Sequence, residues 1–427
     1  MEFAGAVAAR HRFADPAGGL RAGRTRLPSP RAAGGDAVRL RARQQQLDAL
    51  LPVFYDLWHP QPFCEVRPAW CERWPLLTTE LLRLDDDEAA ALNVDGLAAL
   101  ACLSRHVADA GDLAALIELP QRGAPLPLDQ DGRWAWEIPG RKRAQIEAFA
   151  SAARSAGQPV LDWCGGKGHL GRLLARQWQV PVRTLEIDQQ LCRAGEQLAQ
   201  RAAVCQQFVT ADALAVDMTL AAGQHAVALH ACGDLHRRLI SHGAEGGIAR
   251  FDIAPCCYHL HLGDAYRSFS SASSLQLTRD DVRLAVTETV TAGARERRQR
   301  DRASAFKLGF DAWRRHLNGD VYRSFKPLPE AWLRGSFADF MGQLCRREGL
   351  VQPAGGDLAH FERLGGQRQR ELMRLSIVRH AFRRALELWL AGDLAVYLEE
   401  RGYAVELGTF CARELTPRNL LISARRA

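Results

Sequence analysis

Val160-Leu-Asp-Trp-Cys-Gly-Gly-Lys-Gly-His-Leu-Gly171 is the stretch whose reading decides the fold. Val160 to Trp163 read as a buried strand. Gly166 and Gly168 then permit a sharp turn whose backbone can approach a ligand with no Cβ in the way. Helical periodicity resumes over residues 170–177, so the loop aims a helix N-terminus at whatever sits above it. The next apolar run, from Val182, ends in Glu186, a carboxylate suited to the vicinal hydroxyls of a ribose. Strand, glycine turn, helix, strand and acid together read as a nucleoside-cofactor site. Gly166-x-Gly168-x-x-Gly171 also satisfies the dinucleotide fingerprint, so the loop by itself leaves the cofactor open. A tight strand–helix turn is the plainer use of the same glycines.

Three further short apolar runs follow, each ending in small, polar or sulfur-bearing residues. Gln206–Thr210 leads into Asp212, Ala226–Leu229 into His230-Ala-Cys-Gly-Asp234, and Phe251–Ile253 into Ala254-Pro-Cys-Cys-Tyr-His259. Helical spacers separate them, the order of a doubly wound parallel sheet whose ligands bind at the strand C-termini. Much later, residues 404–411 and 419–423 form two β runs around Pro417. A closing hairpin is foreign to a nicotinamide-binding domain.

Residues 139–260 with the 402–424 hairpin resemble a class I S-adenosylmethionine-dependent methyltransferase. His230-Ala-Cys-Gly-Asp-Leu235 paired with Pro255-Cys-Cys-Tyr258 is similar to one branch of that superfamily. This branch includes proteins related to the glutathione-S-transferase C-terminal-domain-containing protein and the tRNA acceptor-stem 2′-O-methyltransferases. Gly140-Arg-Lys-Arg-Ala-Gln-Ile-Glu147 resembles the basic-then-acidic helix such proteins place before the glycine loop. The resemblance implies an α/β, Rossmann-like seven-stranded sheet with an N-terminal helical domain and a helical insertion before the C-terminal β-hairpin. It implies S-adenosyl-L-methionine as cofactor, held by Asp162, Cys164, Gly166, Gly168, Glu186, Asp212 and His230. Cys164 stands where the superfamily usually has Gly, which tightens the loop around the methionine carboxylate. Asp188 reads as a helix cap rather than a cofactor contact. His230, Asp234, Cys256 and Cys257 take the catalytic positions, with His230 and Asp234 the candidate bases. RNA, tRNA first, is the acceptor the branch implies. A cofactor-binding scaffold without turnover, a methyltransferase for a protein or small molecule, and a nicotinamide oxidoreductase are the other readings.

Cys232, Cys256, Cys257, His259 and His261 invite a metal reading. Adjacent cysteines serve one tetrahedral ion poorly, however, and the chain has no C-x-x-C pair. Buried thiols often simply pack, so the expectation is a pocket lining and no metal. Cys64 and Cys71 read as packing too.

The formal net charge of +7 says less about nucleic acid than it suggests, because residues 1–43 hold nine Arg against Glu2, Asp15 and Asp36. That tail lacks periodicity and reads as disordered. Residues 44–138 read as a helical domain whose Trp58, Trp70, Trp74, Trp134 and Trp136 are core, with a helix start at Asp85-Asp-Asp-Glu88. Residues 139–261 are the expected methyltransferase core, 262–401 the helical insertion, and 402–427 the hairpin. In the insertion, Arg295-Glu-Arg-Arg-Gln-Arg-Asp-Arg302 reads as a solvated helix face that an anionic substrate could use, with Arg314 and Arg315 extending it. Eleven irregularly spaced cysteines and no signal peptide point to reduced thiols in a cytoplasm. No run reaches the roughly 18 apolar residues of a membrane span.

Overall fold

The structure, a computed structural model, describes residues 36–123, 132–215, 220–287 and 293–427. Its centre is a seven-stranded sheet in the order β3-β2-β1-β4-β5-β7-β6. The strands are β1 (Val160–Trp163), β2 (Val182–Glu186), β3 (Gln206–Thr210), β4 (His225–Cys232), β5 (Arg250–Cys256), β6 (Tyr403–Thr409) and β7 (Leu420–Arg426). The first five run parallel, and β7 enters antiparallel between β5 and β6. This is the expected class I arrangement, and it departs from the all-parallel order of a nicotinamide-binding domain.

Period-two alternation sorts the sheet's two faces. Leu161, Trp163, Ala226, Ala228, Phe251, Ile253, Leu420 and Ile422 join one core, while Val160, Val182, Val227, Ala254 and Leu421 join the other. Both faces are covered, as a parallel sheet requires. Helices Gly140–Ala152 and His169–Trp178 cover the second face, with Trp134 fully buried beneath them. Helix Arg383–Glu400 belongs to the first face and is buried all round as far as Leu398. Its Asp393 is fully buried yet satisfied: Tyr266 Oη donates at 2.9 Å, and the Phe269 and Ser270 amides each donate at 2.9 Å. A buried carboxylate is tolerable only with such partners.

Three expected boundaries change. Helix Asp36–Val53 crosses the limit set at residue 43, and the part of the tail before Asp36 lies outside the described residues. That helix packs against Arg383–Glu400, which the sequence reading assigns to the insertion but which packs on β6 and β7 as core. Residues 36–427 form one compact unit, so the N-terminal helices and the insertion are not separate bodies. Apolar periodicity cannot report which remote helix shares a face. Elsewhere the local reading holds. Asp85 accepts from Glu88 N at 2.8 Å while Glu88 accepts from Asp85 N at 2.9 Å, a capping box starting helix Asp86–Val94. Trp58, Trp70 and Trp134 are core.

Candidate functional site

The carboxyl ends of β1 to β5 bring together the residues singled out above. After β1, Cys164 (φ 54°), Gly166 (φ 60°) and Gly168 (φ 61°) lie in left-handed backbone. A Cβ on Gly166 would meet open space, so that peptide is open to approach. Gly168 has another reason to be glycine: a Cβ there would overlap Gln206 and Phe208. Its freedom therefore serves the packing of the loop onto β3 rather than ligand approach. Gln206, missed by the sequence reading, ties the loop down by donating from Nε2 to the Gly168 carbonyl (2.9 Å) and to Thr184 Oγ1 (2.8 Å).

Asp162 is buried, and its Oδ2 accepts from Gly171 N (3.2 Å) and Thr184 Oγ1 (3.1 Å). Burial pushes its carboxyl up to about 6, against the opposing pull of those hydrogen bonds. Both described bonds run into the protein, making Asp162 the clasp of the glycine turn. Glu186, at the end of β2, spans the same turn from the other side. Its Oε2 accepts from Gly166 N at 2.9 Å, and its Oε1 from Ile187 N at 2.9 Å and Asp188 N at 3.1 Å. Asp188 caps helix Gln189–Arg201 by accepting from Gln190 N (2.7 Å), as expected. Asp212, exposed after β3, accepts from Leu214 N at 2.8 Å.

The β4 and β5 loops are locked to one another. Gly233 N donates to Cys256 O (3.1 Å), Asp234 N to Leu260 O (3.3 Å), and Leu260 N to Cys257 O (2.9 Å). A Cβ on Gly233 would overlap the Leu260 carbonyl, which explains the glycine of the His-x-Cys-Gly motif. His230 sits at φ 65°, where β4 slips register before Cys232. Burial lowers its imidazole to about 4, so it is neutral at physiological pH. Asp234 opens helix Asp234–Glu245 and pairs with Arg237 at 3.5 Å. Burial pushes the Cys164 thiol up to about 12. Cys232, Cys256 and Cys257 gather their Sγ atoms within 4.8 Å of one another, the adjacent pair included. Hydrogen bonding with Cys232 and then Cys256 draws the Cys257 thiol well below its ordinary value, and the same contacts raise Cys256; the trio titrates as a unit.

Residues 141–262 match the family described as a methyltransferase domain. This segment is a class I methyltransferase domain. The domain's cofactor is S-adenosylmethionine, and the open Gly166 peptide beside a strand-end carboxylate fits a nucleoside there. Over 163 residues the chain is 28% identical to the glutathione S-transferase C-terminal domain-containing protein of Xenopus laevis, covering 37% of this chain and 25% of that protein. Over 125 residues it is 30% identical to the homologue in Drosophila pseudoobscura pseudoobscura, covering 28% and 20%. The chain thus spans about a quarter or less of the length of these curated relatives. Among solved structures, the magnesium protoporphyrin IX methyltransferase of Synechocystis PCC 6803 with bound SAH aligns at TM-score 0.27 and 12% identity, covering 67% of this chain and 81% of that one.

The arginine surface needs a correction. Arg295, Arg297, Arg298, Arg300 and Arg302 are exposed on helix Ala294–Asn318, but that helix packs chiefly on helix Gly355–Ala381. Arg314 is buried, and both Arg314 and Arg315 turn to the fully buried Asp311, which Arg368 also reaches at 3.0 Å. They close a buried ion cluster rather than extend the surface. No helix among the described residues is long and apolar enough to cross a membrane.

Proposed function

We propose that the protein transfers the methyl group of S-adenosylmethionine to RNA, with tRNA the first acceptor class to test. The observation that carries the cofactor half is the pairing of Glu186 with the open Gly166 peptide at the end of β1 and β2. In this reading Glu186 accepts from the ribose hydroxyls with the lone pairs its backbone bonds leave free. Exposed Ile187 offers an apolar surface next to it for the flat base, a residue that the period-two pattern alone could not flag. Asp212 accepts from the adenine amino group, Cys164 and His230 wall the pocket, and Gly168 holds the loop on β3. Asp162 acts through the loop it clasps.

The cofactor supplies a methyl group on a positively charged sulfur, already activated for displacement. The chain's task is then to hold the acceptor in line and exclude water. Neutral His230 can take the proton from an acceptor hydroxyl or amine as methylation makes that group acidic; Asp234, paired with Arg237 at 3.5 Å, is the second candidate. Cys256 and Cys257 shape the acceptor side. The RNA half rests on the family resemblance and on the exposed arginines of 295–302, which would meet phosphate.

Transfer of labelled methyl groups into separated RNA, protein and metabolite fractions tests this reading. Wild type should label RNA. Glu186→Ala should weaken S-adenosylhomocysteine binding by roughly 1.5–3 kcal/mol, the scale for hydrogen bonds to charged groups. Changing Arg297, Arg298 and Arg300 to Ala should lower RNA affinity and flatten its salt dependence while sparing the cofactor. Label in protein or metabolites alone would replace the RNA acceptor, and absence of transfer by a cofactor-bound protein would favour a scaffold.

A further inference from the structure

The three thiols at the ends of β4 and β5 are brought together at a structural cost. Cys232 Sγ and Cys256 Sγ stand 3.3 Å apart, and all three sulfurs fall within 4.8 Å of one another. In a regular strand, residues 256 and 257 would project to opposite faces. Cys257 escapes that alternation by adopting φ 44°. Cys232 joins the cluster where β4 slips register, next to His230 at φ 65°. Each non-glycine residue held in left-handed backbone costs on the order of 1–3 kcal/mol. Thiols that merely packed as small apolar groups would not require it. A disulfide would use two of the sulfurs and leave the third without a purpose.

We propose that Cys232, Cys256 and Cys257 bind one Zn2+ ion as three thiolates. Tetrahedral zinc holds thiolate sulfur at about 2.3 Å, which separates neighbouring sulfurs by about 3.8 Å. That spacing is about 0.5 Å longer than the Cys232–Cys256 contact and within the 4.8 Å that contains all three sulfurs, so an ion needs only a small opening of the cluster. His259, two residues beyond Cys257, has a buried Nδ1 with no hydrogen-bond partner among the described residues, but it is not one of the atoms gathered within 4.8 Å, so the three thiolates carry the site. Arg418 lies near enough to act on the Cys232 and Cys257 sulfurs, and its positive charge offsets the excess negative charge of three thiolates around a dication. The ion would staple the His-x-Cys-Gly loop to the Pro-Cys-Cys loop and fix the acceptor side of the pocket. Metal binding of this kind contributes folding free energy directly.

The test uses the full chain, stripped under reductant and titrated with Zn2+ alone and with Co2+ alone. Wild type should bind one equivalent of zinc, and its cobalt form should show the intense near-ultraviolet charge-transfer absorption of several thiolates. Cys232→Ser and Cys257→Ser should each weaken zinc binding by about tenfold or more, the scale of losing a group that supports a metal. Cys205→Ser, at an exposed cysteine outside the cluster, should retain the full equivalent. The cobalt spectrum of wild type needs no variant to fold. Folded wild type that takes up no zinc and gives no thiolate absorption would overturn the proposal, as would full zinc affinity in the Cys232→Ser, Cys257→Ser double variant. S-adenosylhomocysteine calorimetry on the same samples reports the cofactor reading separately, so either idea can fail without the other.

Discussion

The glycine turn after β1 and the thiol loops after β4 and β5 solve the same problem in opposite ways. Both must turn the chain at the carboxyl ends of interior strands in left-handed backbone. The first places Cys164, Gly166 and Gly168 at positive φ and clasps the turn between two carboxylates, Asp162 and Glu186. The second places His230, Cys257 and His261 there, alongside one glycine, Gly233. Glycine adopts such conformations at little steric cost, whereas histidine and cysteine do not. Where a chain accepts that cost, the side chain is being retained for its chemistry. The thiol loops thus carry specific groups, as does Cys164 at the head of the glycine turn, while Gly166 presents bare backbone.

The sharpest way to break this contrast is to add one methyl group to each region. Gly233→Ala would drive a Cβ into the Leu260 carbonyl and require alanine to hold φ 59° with ψ −130°. Overpacking and backbone strain together should cost about 3–5 kcal/mol in chemical denaturation. Gly166→Ala meets open space and should cost only about 1–2 kcal/mol, the left-handed penalty alone, while reducing cofactor affinity. Equal losses from the two substitutions would mean that the loops are not locked together as described.

A second test probes the clasp. The Asp162 carboxyl is raised from 3.8 to about 6 by burial, so the folded state holds its proton more tightly than the unfolded chain. The stability it contributes is complete below about pH 4 and is lost as pH rises through about 6. Integrated over that window, the loss is roughly 2–3 kcal/mol. Urea unfolding of wild type relative to Asp162→Asn, which has no charge to bury, should show that relative decline between pH 4 and 7. A pH-independent difference would place the carboxylate in a wetter setting.

Much of this was legible in the primary structure, for reasons of range. The β1 strand, the glycine turn, the helix after it and Glu186 lie within one βαβ unit, where period and spacing act locally. The capping box at Asp85 and Glu88 is also a matter of three residues. The hairpin strand order followed from the family resemblance rather than from periodicity. Helix Arg383–Glu400 was misassigned because its near-continuous burial is a property of distant neighbours. Arg314 and Arg315 looked like surface charge because, although Asp311 lies one helical turn away, nothing local announces that it is buried or that the distant Arg368 joins it. The convergence of Cys256 with Cys257 was missed for a different reason. The alternation rule forbids it, and only an observed φ of 44° shows that the rule is broken there.

That last angle supports the smallest and most discriminating prediction. Cys257→Ala and Cys257→Gly both delete the sulfur, and both should abolish the proposed zinc site. They differ only in a methyl group and in backbone freedom. At an ordinary strand or helix position glycine is the less stable of the two by roughly 0.5–1 kcal/mol. At φ 44° the order should invert, because alanine keeps the left-handed penalty of about 1–2 kcal/mol and glycine sheds it. Metal-free Cys257→Gly should therefore unfold at higher denaturant than metal-free Cys257→Ala, by about 1 kcal/mol. Measuring both without metal removes any contribution from residual coordination. If alanine proves the more stable, Cys257 relaxes out of the left-handed region once the sulfur is gone. The strain would then belong to the thiol contacts, and the contrast with the glycine turn would rest on His230 and His261.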